Sequence, residues 1–405
     1  MANWPHGSGR RAVPGVPLPR RPDTRKRADN GRYCVLYKSS ISQDNPEAIT
    51  VPNPMTESKG ATPPKSAPLP IGTLLSNYRI VKKLASGGFS FVYLATDETG
   101  APVAIKEYLP SSLARRKPGE LIPVVPEESA ASFRLGLKYF FEEGRSLARI
   151  SHPSVVRVVN FFRENSTVYM VMNYELGKTL QEHILHARQQ GRAKVLREHF
   201  IRKVFHALMS GLREVHIHKL LHLDIKPGNI YLREDESPIL LDFGAARQIL
   251  TMEAARFQPM YTPGFAAPEL YGKHSELGPW TDIYSLGATL YACMAGMPPQ
   301  EANQREKDDR MAESLTRLRT SYTNGLVDLV EWCLRLTPSE RPQSVFRLQK
   351  ELREQTNALG EQAAASAPAP AAAERPIASR FLTLLRKRDE PAAGVPAREI
   401  GTSGD

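Results

Sequence analysis

The spacing of apolar residues divides the chain into a strand-rich stretch followed by a helix-rich one. Between residues 78 and 109, short apolar runs alternate with turns that contain glycine or aspartate, which is typical of antiparallel hairpins. Apolar runs at 155–159 and 167–172 are expected to extend the same sheet. From residue 201 to residue 215 apolar side chains recur every three or four positions, which predicts one buried face of a long helix. The pattern therefore places a sheet ahead of a set of helices.

The composition limits the class of protein. A chain of 405 residues predicts two or three domains, or one large two-lobed domain with tails. Its 3 cysteines are odd in number and far apart, which argues against a disulfide framework and favours a reducing compartment. No apolar run approaches the ~20 residues that a membrane helix needs, and no apolar segment follows the N-terminal arginines as in a signal peptide. We therefore expect a cytoplasmic protein without a transmembrane segment.

Both ends of the chain differ in composition from the middle. Residues 1–72 are rich in proline and arginine, and residues 353–405 are rich in alanine and proline, so both are expected to be disordered tails. Through Arg32 the first tail has eight basic and two acidic residues, a surplus of six in a net charge of +11. Such an arm is able to bind nucleic acid or an anionic membrane. No aromatic residues alternate with the charges as base stacking requires, so we favour a solvated tail.

A set of polar residues follows two short apolar runs near the middle of the chain. Residues 221–229 contain Asp224, Lys226 and Asn229, and Asp242 comes thirteen residues after Asn229. Phosphoryl transfer needs such a set, because it depends on positioning and charge neutralisation more than on covalent chemistry. Asp224 would accept a hydroxyl proton, and Lys226 would neutralise the moving phosphoryl group. Asn229 and Asp242 offer the hard oxygen ligands that magnesium prefers.

This order and spacing resembles the catalytic loop and Asp-Phe-Gly motif of the Hanks-type (eukaryotic-like) serine/threonine protein kinases. Lys226 is the residue found in the serine/threonine form of that loop. Upstream, Lys106 ends an apolar strand and resembles the lysine that binds the α- and β-phosphates, and Glu143 resembles its glutamate partner on the next helix. The resemblance runs from about Thr73 to Leu352 and is closest to bacterial members.

The resemblance implies an α+β fold with two lobes. The kinase domain would span residues 73–352, with a small antiparallel-sheet lobe and one main helix at about 73–172. A larger, mostly helical lobe would follow at about 176–352.

The resemblance also implies an ATP site between the lobes. The turn at 85–90 matches the family's glycine-rich loop imperfectly, because Ala85 and Ser90 replace the first and third glycines. Met172 resembles the gatekeeper beside the adenine pocket, and the backbone of Asn173 and Glu175 would bind the adenine edge. The residues expected to contact the nucleotide are Leu84, Ala85, Ser86, Gly87, Gly88, Phe89, Ser90, Val92, Ala104, Lys106, Met172, Asn173 and Glu175.

Two further departures bear on regulation. Leu223 replaces the family's arginine before the catalytic aspartate. That arginine commonly pairs with a phosphate on the activation segment, and leucine is unable to do so. The resemblance then implies an enzyme that would be constitutively competent or switched in another way. The interval from Lys106 to Glu143 is also longer than in the family, and we expect the excess, at residues 110–132, to be a surface insertion that includes Arg116.

Four supporting contacts are implied by the resemblance. Thr262 would bond to Asp224 and Lys226, and Asp282 would brace the catalytic loop through backbone N–H groups. Arg341 would pair with Glu269, and His222 would be a packed core residue.

The resemblance thus implies a protein serine/threonine kinase that uses ATP and Mg²⁺. Its catalytic residues would be Asp224, Lys226, Lys106 and Glu143, and its metal ligands Asn229 and Asp242. Its partners would be protein substrates with serine or threonine hydroxyls, itself included. The alternative is a pseudokinase, a nucleotide-binding scaffold of the same fold, which is motivated by Leu223 and the altered glycine-rich loop.

Overall fold

The structure is a computed structural model that describes residues 66–191, 195–243, 262–272 and 276–366. The first part of the chain forms a six-stranded antiparallel sheet with the strand order β1-β2-β3-β4-β6-β5. The strands are β1 (Leu74–Leu75), β2 (Tyr78–Ser86), β3 (Ser90–Thr96), β4 (Pro102–Tyr108), β5 (Val158–Glu164) and β6 (Thr167–Asn173).

Helix α1 (Ala130–Leu147) packs on one face of this sheet. Phe133, Phe140 and Leu147 on the helix are buried. Gly144 allows the close approach, because a Cβ atom there would lie 3.1 Å from the Met170 Cε atom on β6. The glycine that lowers helix propensity is therefore explained by packing against the sheet.

The opposite face of the sheet is covered by two chain segments. Residues 66–70 come before β1, and residues 110–124 follow β4. The two segments pair with each other, since Ala67 and Arg116 share a backbone hydrogen bond of 2.9 Å. Arg116 is only 2% exposed, so the expectation of a surface insertion is wrong at this residue. Its guanidinium enters the lobe and pairs with a buried carboxylate, an arrangement that leaves no sequence periodicity to detect.

The second part of the chain is mostly helical, as expected. A small antiparallel sheet has the strand order β7-β8-β9; β7 comes before α2 and α3 in the chain, and β8 and β9 come after them. The stripe of apolar residues predicted at 201–215 is the buried face of α3, which confirms that prediction. The next helix, α4, is buried along nearly its whole length and forms the centre of this lobe. The elements are β7 (Gly177–Thr179), α2 (Leu180–Gln189), α3 (Glu198–Ile217), β8 (Ile230–Arg233), β9 (Pro238–Leu240), α4 (Pro279–Ala295), α5 (Ala302–Arg305), α6 (Met311–Arg319), α7 (Asn324–Cys333) and α8 (Val345–Ser366).

Described structure extends beyond the sequence-based boundaries at both ends. Leu69, before the expected start at Thr73, is buried, and its N–H donates to the Tyr93 hydroxyl at 3.0 Å. At the other end, α8 continues to Ser366. The rest of the two expected tails lies outside the described residues. Within those that are described, no helix has the length and apolarity needed to cross a membrane.

Candidate active site

The loop between α3 and β8 presents Asp224 with three partners. The Lys226 Nζ atom lies 3.1 Å and 3.0 Å from the two carboxylate oxygens of Asp224. The Asn229 amide nitrogen donates to the carbonyl oxygen and to Oδ2 of Asp224, both at 2.8 Å. Thr262 donates its hydroxyl to Asp224 Oδ1 at 3.2 Å and accepts from Lys226 at 2.8 Å, which confirms the contacts expected of it. A nearly buried carboxylate is thus fixed between an ammonium, an amide and a hydroxyl group.

The fully buried carboxylate of Asp282, on α4, holds the backbone of this loop. It accepts from the backbone N–H groups of His222 at 2.9 Å and Leu223 at 2.8 Å, and it contacts His216 Nε2 at 2.8 Å. Burial alone would raise the pKa of Asp282, but the hydrogen bonds that its carboxylate shares with His216 and with the His222 backbone outweigh burial and lower that pKa. The brace expected from the sequence is confirmed.

Leu223 adopts a left-handed backbone conformation with φ of 60°. This region costs a residue with a Cβ atom roughly 1–2 kcal/mol, so surrounding contacts must hold it. The hydrogen bond from its N–H to Asp282 does so, and its side chain packs against the hydrophobic core. Because Leu223 precedes Asp224, this backbone turn sets the direction of the Asp224 carboxylate.

His222 is a buried neutral histidine, as expected. Its Nε2–H donates to the Leu241 carbonyl at 2.9 Å, and its Nδ1 atom accepts from the Asp224 N–H at 3.3 Å. This pair of contacts fits the neutral ring, and burial lowers the pKa of His222 below its ordinary value. The ring also lies 4.4 Å from that of Phe243, which joins the catalytic loop to the residues after β9.

The other half of the site comes from the small lobe. Lys106 Nζ lies 3.2 Å from Asp242 Oδ1, which brings together the expected phosphate-binding lysine and the expected metal ligand. Lys106 and Glu143 line one small cavity together with Phe89, Phe140 and Phe243. Both are buried at 7% exposure. The structure thus brings the two expected partners to the same cavity. Gly244, which completes the Asp-Phe-Gly motif, lies outside the described residues.

Strand pairing places the expected adenine-contacting side chains on one face of the sheet. Val92 lies opposite Lys106, and Ala104 lies opposite Met172. Residues opposite each other, and residues two apart, share a face of an antiparallel sheet. Val92, Ala104 and Met172 are therefore buried on the face that carries Lys106.

The segment after Met172 has its own contacts. The Asn173 N–H donates to the Arg157 carbonyl at 3.0 Å, so an adenine contact at Asn173 would use its carbonyl oxygen. The Glu175 carboxylate forms a two-point pair with Arg233, at 2.9 Å and 3.2 Å. The sequence had suggested only a backbone role for Glu175, and no local signal indicates its partner on β8.

The altered glycine-rich loop, predicted as a turn at residues 85–90, includes the end of β2, a shorter turn at residues 87–89 and the first residue of β3. A hydrogen bond of 2.9 Å from the Gly87 N–H to the Ser90 carbonyl closes the turn. A Cβ atom added to Gly87 would meet nothing within 4 Å. The open space beside this backbone is what a phosphate group needs in order to approach N–H donors. Gly88 and Phe89 are held by the chain after β4, since their carbonyls accept from Ser111 at 2.8 Å and Leu109 at 2.9 Å.

A cavity of about 560 Å³ is lined in part by Lys226 and Thr262. Its apolar lining includes Ile184, Phe265 and Met297. Nearby, Arg341 forms a buried two-point pair with Glu269, at 2.8 Å and 3.0 Å, which confirms the expected contact.

Comparison with known proteins gives a consistent result. The family described as "Protein kinase domain" matches residues 78–352. The solved structure titled "PpkA-294 apo form" is 35% identical, with a TM-score of 0.64 over 71% of this chain and 100% of that chain. The chain belongs to the Hanks-type protein kinase family.

Two more distant relatives agree with this assignment. The serine/threonine-protein kinase PLK4 of Danio rerio is 26% identical over 67% of this chain. The kinase domain matches only 27% of that relative's length. The kinase domain of Mycobacterium tuberculosis PknI (C20A_R136A double mutant) shares the fold, with 21% identity and a TM-score of 0.52 over 71% of this chain and 99% of that one.

A protein kinase domain implies ATP as a substrate and typically Mg²⁺, and the donor set fits both. In the described residues, no three His, Cys, Asp or Glu side chains form a group that would hold a metal alone. Magnesium in kinases takes only one or two protein ligands and completes its shell with phosphate oxygens and water. Asn229 turns its amide nitrogen toward Asp224, so its oxygen is the atom suited to ligation. Asn229 and Asp242 therefore suit a magnesium ion that arrives with the nucleotide.

Replacing Gly87 with alanine should separate nucleotide binding from folding. The added methyl group meets no protein atom, so the unfolding temperature should stay the same or rise slightly. The methyl group would occupy the space for a phosphate group, so KM for ATP should rise roughly tenfold, or about 1.4 kcal/mol. Steady-state kinetics and thermal unfolding test this. An unchanged KM would show that phosphate does not approach Gly87.

Stability should fall in mildly acidic solution because of His222. The unfolded chain binds a proton on this histidine near its ordinary pKa of 6.5, whereas the folded protein resists it. The contribution is therefore complete above about pH 6.5 and is lost as the pH falls below it, at up to about 1.4 kcal/mol per pH unit. His222→Gln should flatten the denaturation profile between pH 5 and 6.5. The exposed His206→Gln is the control and should keep the wild-type slope; an unaltered slope in His222→Gln would contradict this account.

Proposed function

We propose that this chain is a protein serine/threonine kinase that transfers the γ-phosphate of ATP, with Mg²⁺, to protein hydroxyl groups. One observation carries the proposal. Asp224 is held by Lys226, Asn229 and Thr262, and the next motif brings Asp242 to Lys106. This is the set of groups that phosphoryl transfer requires: a base, cations for the transferring group and ligands for metal.

Asp224 would orient the acceptor hydroxyl and take its proton. Its carboxylate is fixed by the Lys226 ammonium, so it would be directed without reorganisation during the reaction. Lys226 lies close enough to serve both Asp224 and a phosphoryl group. Thr262 shares one hydrogen bond with Lys226 and another with Asp224. The hydroxyl of the substrate would enter beside Thr262.

Lys106 would bind the α- and β-phosphates, with Glu143 beside it in the same cavity. Asp242, which pairs with Lys106, and Asn229 would hold the metal. Magnesium supplies charge neutralisation of the phosphates when it is bound. Val92, Ala104 and Met172 would cover the adenine ring, and the backbone of Asn173 and Glu175 would bind its edge. The remaining loop residues, from Leu84 to Ser90, would face the phosphates.

The acceptor protein would lie in the cavity next to Thr262. That cavity combines apolar side chains with two basic ones, Arg188 and Lys226, and its described lining contains no carboxylate. A highly basic acceptor would find no ionic partner there. Neutral and acidic acceptors are therefore the better choice for an assay, and other copies of this chain are also candidates.

The pseudokinase alternative has less support. A scaffold has no chemical need to keep Lys106, Glu143, Asp224, Lys226, Asn229 and Asp242 together. The structure assembles them in two contiguous groups, and the altered glycine-rich loop still leaves the backbone at Gly87 accessible.

Transfer of radiolabelled γ-phosphate should depend on Asp224 and Lys106. With Mg²⁺, the wild-type chain should label itself or one of three peptides that carry acidic, neutral or basic residues around a serine. In Asp224→Asn, kcat should fall about 10²–10⁴-fold because the base is gone. In Lys106→Met, kcat should also fall steeply. The exposed Asp235→Asn, on the β8–β9 turn, is a matched control and should keep full activity.

ATP binding measured by calorimetry on the same proteins distinguishes the alternative. Asp224→Asn should still bind ATP, because Asp224 serves the acceptor and not the nucleotide. A wild-type chain that binds ATP yet transfers no more phosphate than Asp224→Asn would favour the scaffold.

A further inference from the structure

A buried ion pair lies on the face of the small lobe that is turned away from the cleft. Arg116 and Glu107 have fully buried side chains, and the guanidinium meets the carboxylate at two points, both at 2.6 Å. Glu107 follows Lys106 directly on β4. Successive side chains on a strand point to opposite faces, so Lys106 faces the cleft and Glu107 faces the outer segments. We call residues 110–124, which carry Arg116, the strap.

Every polar hydrogen of the Arg116 guanidinium has an acceptor. Besides the two carboxylate oxygens, it donates to the carbonyls of Ala67 at 3.1 Å and Leu121 at 3.3 Å, and to the Tyr93 hydroxyl at 3.2 Å. These account for all five N–H groups of the side chain. Charges are buried in this way only where their hydrogen bonds are complete.

The Glu107 carboxylate is equally well satisfied. In addition to Arg116 it accepts from the hydroxyls of Tyr93 at 2.8 Å and Tyr169 at 3.0 Å. Burial and the nearby Glu107 charge raise the pKa of both tyrosines, so both keep the proton that they donate. Tyr93 is on β3 and Tyr169 is on β6, the two neighbours of β4. The network therefore fixes β4 to both adjacent strands at the residue after Lys106.

The strap also contacts the other phosphate-binding element. At its start, Ser111 donates its N–H and its hydroxyl to the Gly88 carbonyl, at 2.8 Å and 3.2 Å. Two of the three glycine positions of that loop hold other residues. One segment outside the cleft thus contacts both the glycine-rich loop and the strand of Lys106.

We propose that Arg116 is a positioning residue, which acts through Glu107 to hold Lys106 and the glycine-rich loop in register for the phosphates of ATP. This inference rests on the proposed function for its catalytic consequence. Without the pair, β4 would keep its backbone hydrogen bonds but would lose the side-chain network that fixes its position relative to β3 and β6. A displacement of about 1 Å at a phosphate ligand is enough to slow transfer 10–100-fold.

The alternative is that the pair contributes only to stability, and the choice of variants separates the two roles. Arg116→Met leaves Glu107 buried without its cation and should unfold at a markedly lower temperature. The double variant Glu107→Leu/Arg116→Met replaces both charges with apolar side chains, which commonly restores stability. Arg116→Lys keeps the charge but loses the two-point geometry and is expected to fold. Arg115→Met, at the exposed neighbouring position, is the control.

Two measurements are made on the folded variants. The first is the rate at which Lys106 is modified by an adenosine analogue that carries a sulfonyl fluoride, at saturating concentration, with the modified lysine identified by mass spectrometry. This rate depends on where the amine lies and needs no catalysis. The second is kcat and KM for ATP in phosphate transfer.

The proposal expects that the double variant and Arg116→Lys modify Lys106 about tenfold more slowly than the wild type, with kcat reduced similarly and KM changed by less than threefold. Arg115→Met should match the wild type in both measurements. If either folded variant of Arg116 has wild-type labelling, the positioning role is refuted. If the labelling rates differ as expected but even the wild type transfers no phosphate, the proposed function fails and the positioning role stands.

Discussion

The candidate active site depends on the hydrogen bonds that the Asp282 carboxylate accepts from the backbone of the loop before Asp224. Leu223 is held in a left-handed conformation that its side chain disfavours, and the carboxylate bonds the N–H groups at this turn. The turn sends Asp224 into the cleft, where Lys226, Asn229 and Thr262 meet it. Because Asp282 is on the most buried helix of the large lobe, the geometry of a surface loop is fixed by the core. A loop held only by solvent-exposed contacts would lack this precision.

The small lobe holds Lys106 in place by a different set of contacts. Lys106 is on β4, a strand that is paired on both sides within the sheet. Here β4 is fixed on one face by α1 and on the other by the Glu107–Arg116 network. The two lobes meet at the charge pair between Lys106 and Asp242. Positive and negative groups are thus placed in advance where phosphate and metal would bind, which lowers the reorganisation that the reaction requires.

The sequence predicted the parts of this arrangement that are encoded by local motifs. Residues 221–229 and Asp242 occur at fixed spacing, so the contacts of this loop with Thr262 and Asp282, and the separate pair of Arg341 with Glu269, were predicted correctly. The same reasoning missed Arg116, because a buried cation that pairs with a residue nine positions away looks like any basic residue in a loop. It also placed the start of the packed chain at Thr73, whereas Leu69 is held by a tyrosine hydroxyl 24 residues along the chain. Gly144 lowers the helix propensity of α1, and it is explained by the close approach of the Met170 side chain on β6. These features depend on tertiary contacts that carry no periodicity.

We expect activity without a phosphate on the activation segment, because Leu223 offers no cation to such a phosphate and packs on the core instead. The most direct measurement is the initial rate of γ-phosphate transfer by enzyme that has first been treated with phosphatase and checked by intact mass. The account predicts linear product formation from the first turnover, at the same rate as enzyme pre-incubated with ATP. A lag that disappears after pre-incubation, together with new phosphate on the segment between Asp242 and Glu269, would contradict it.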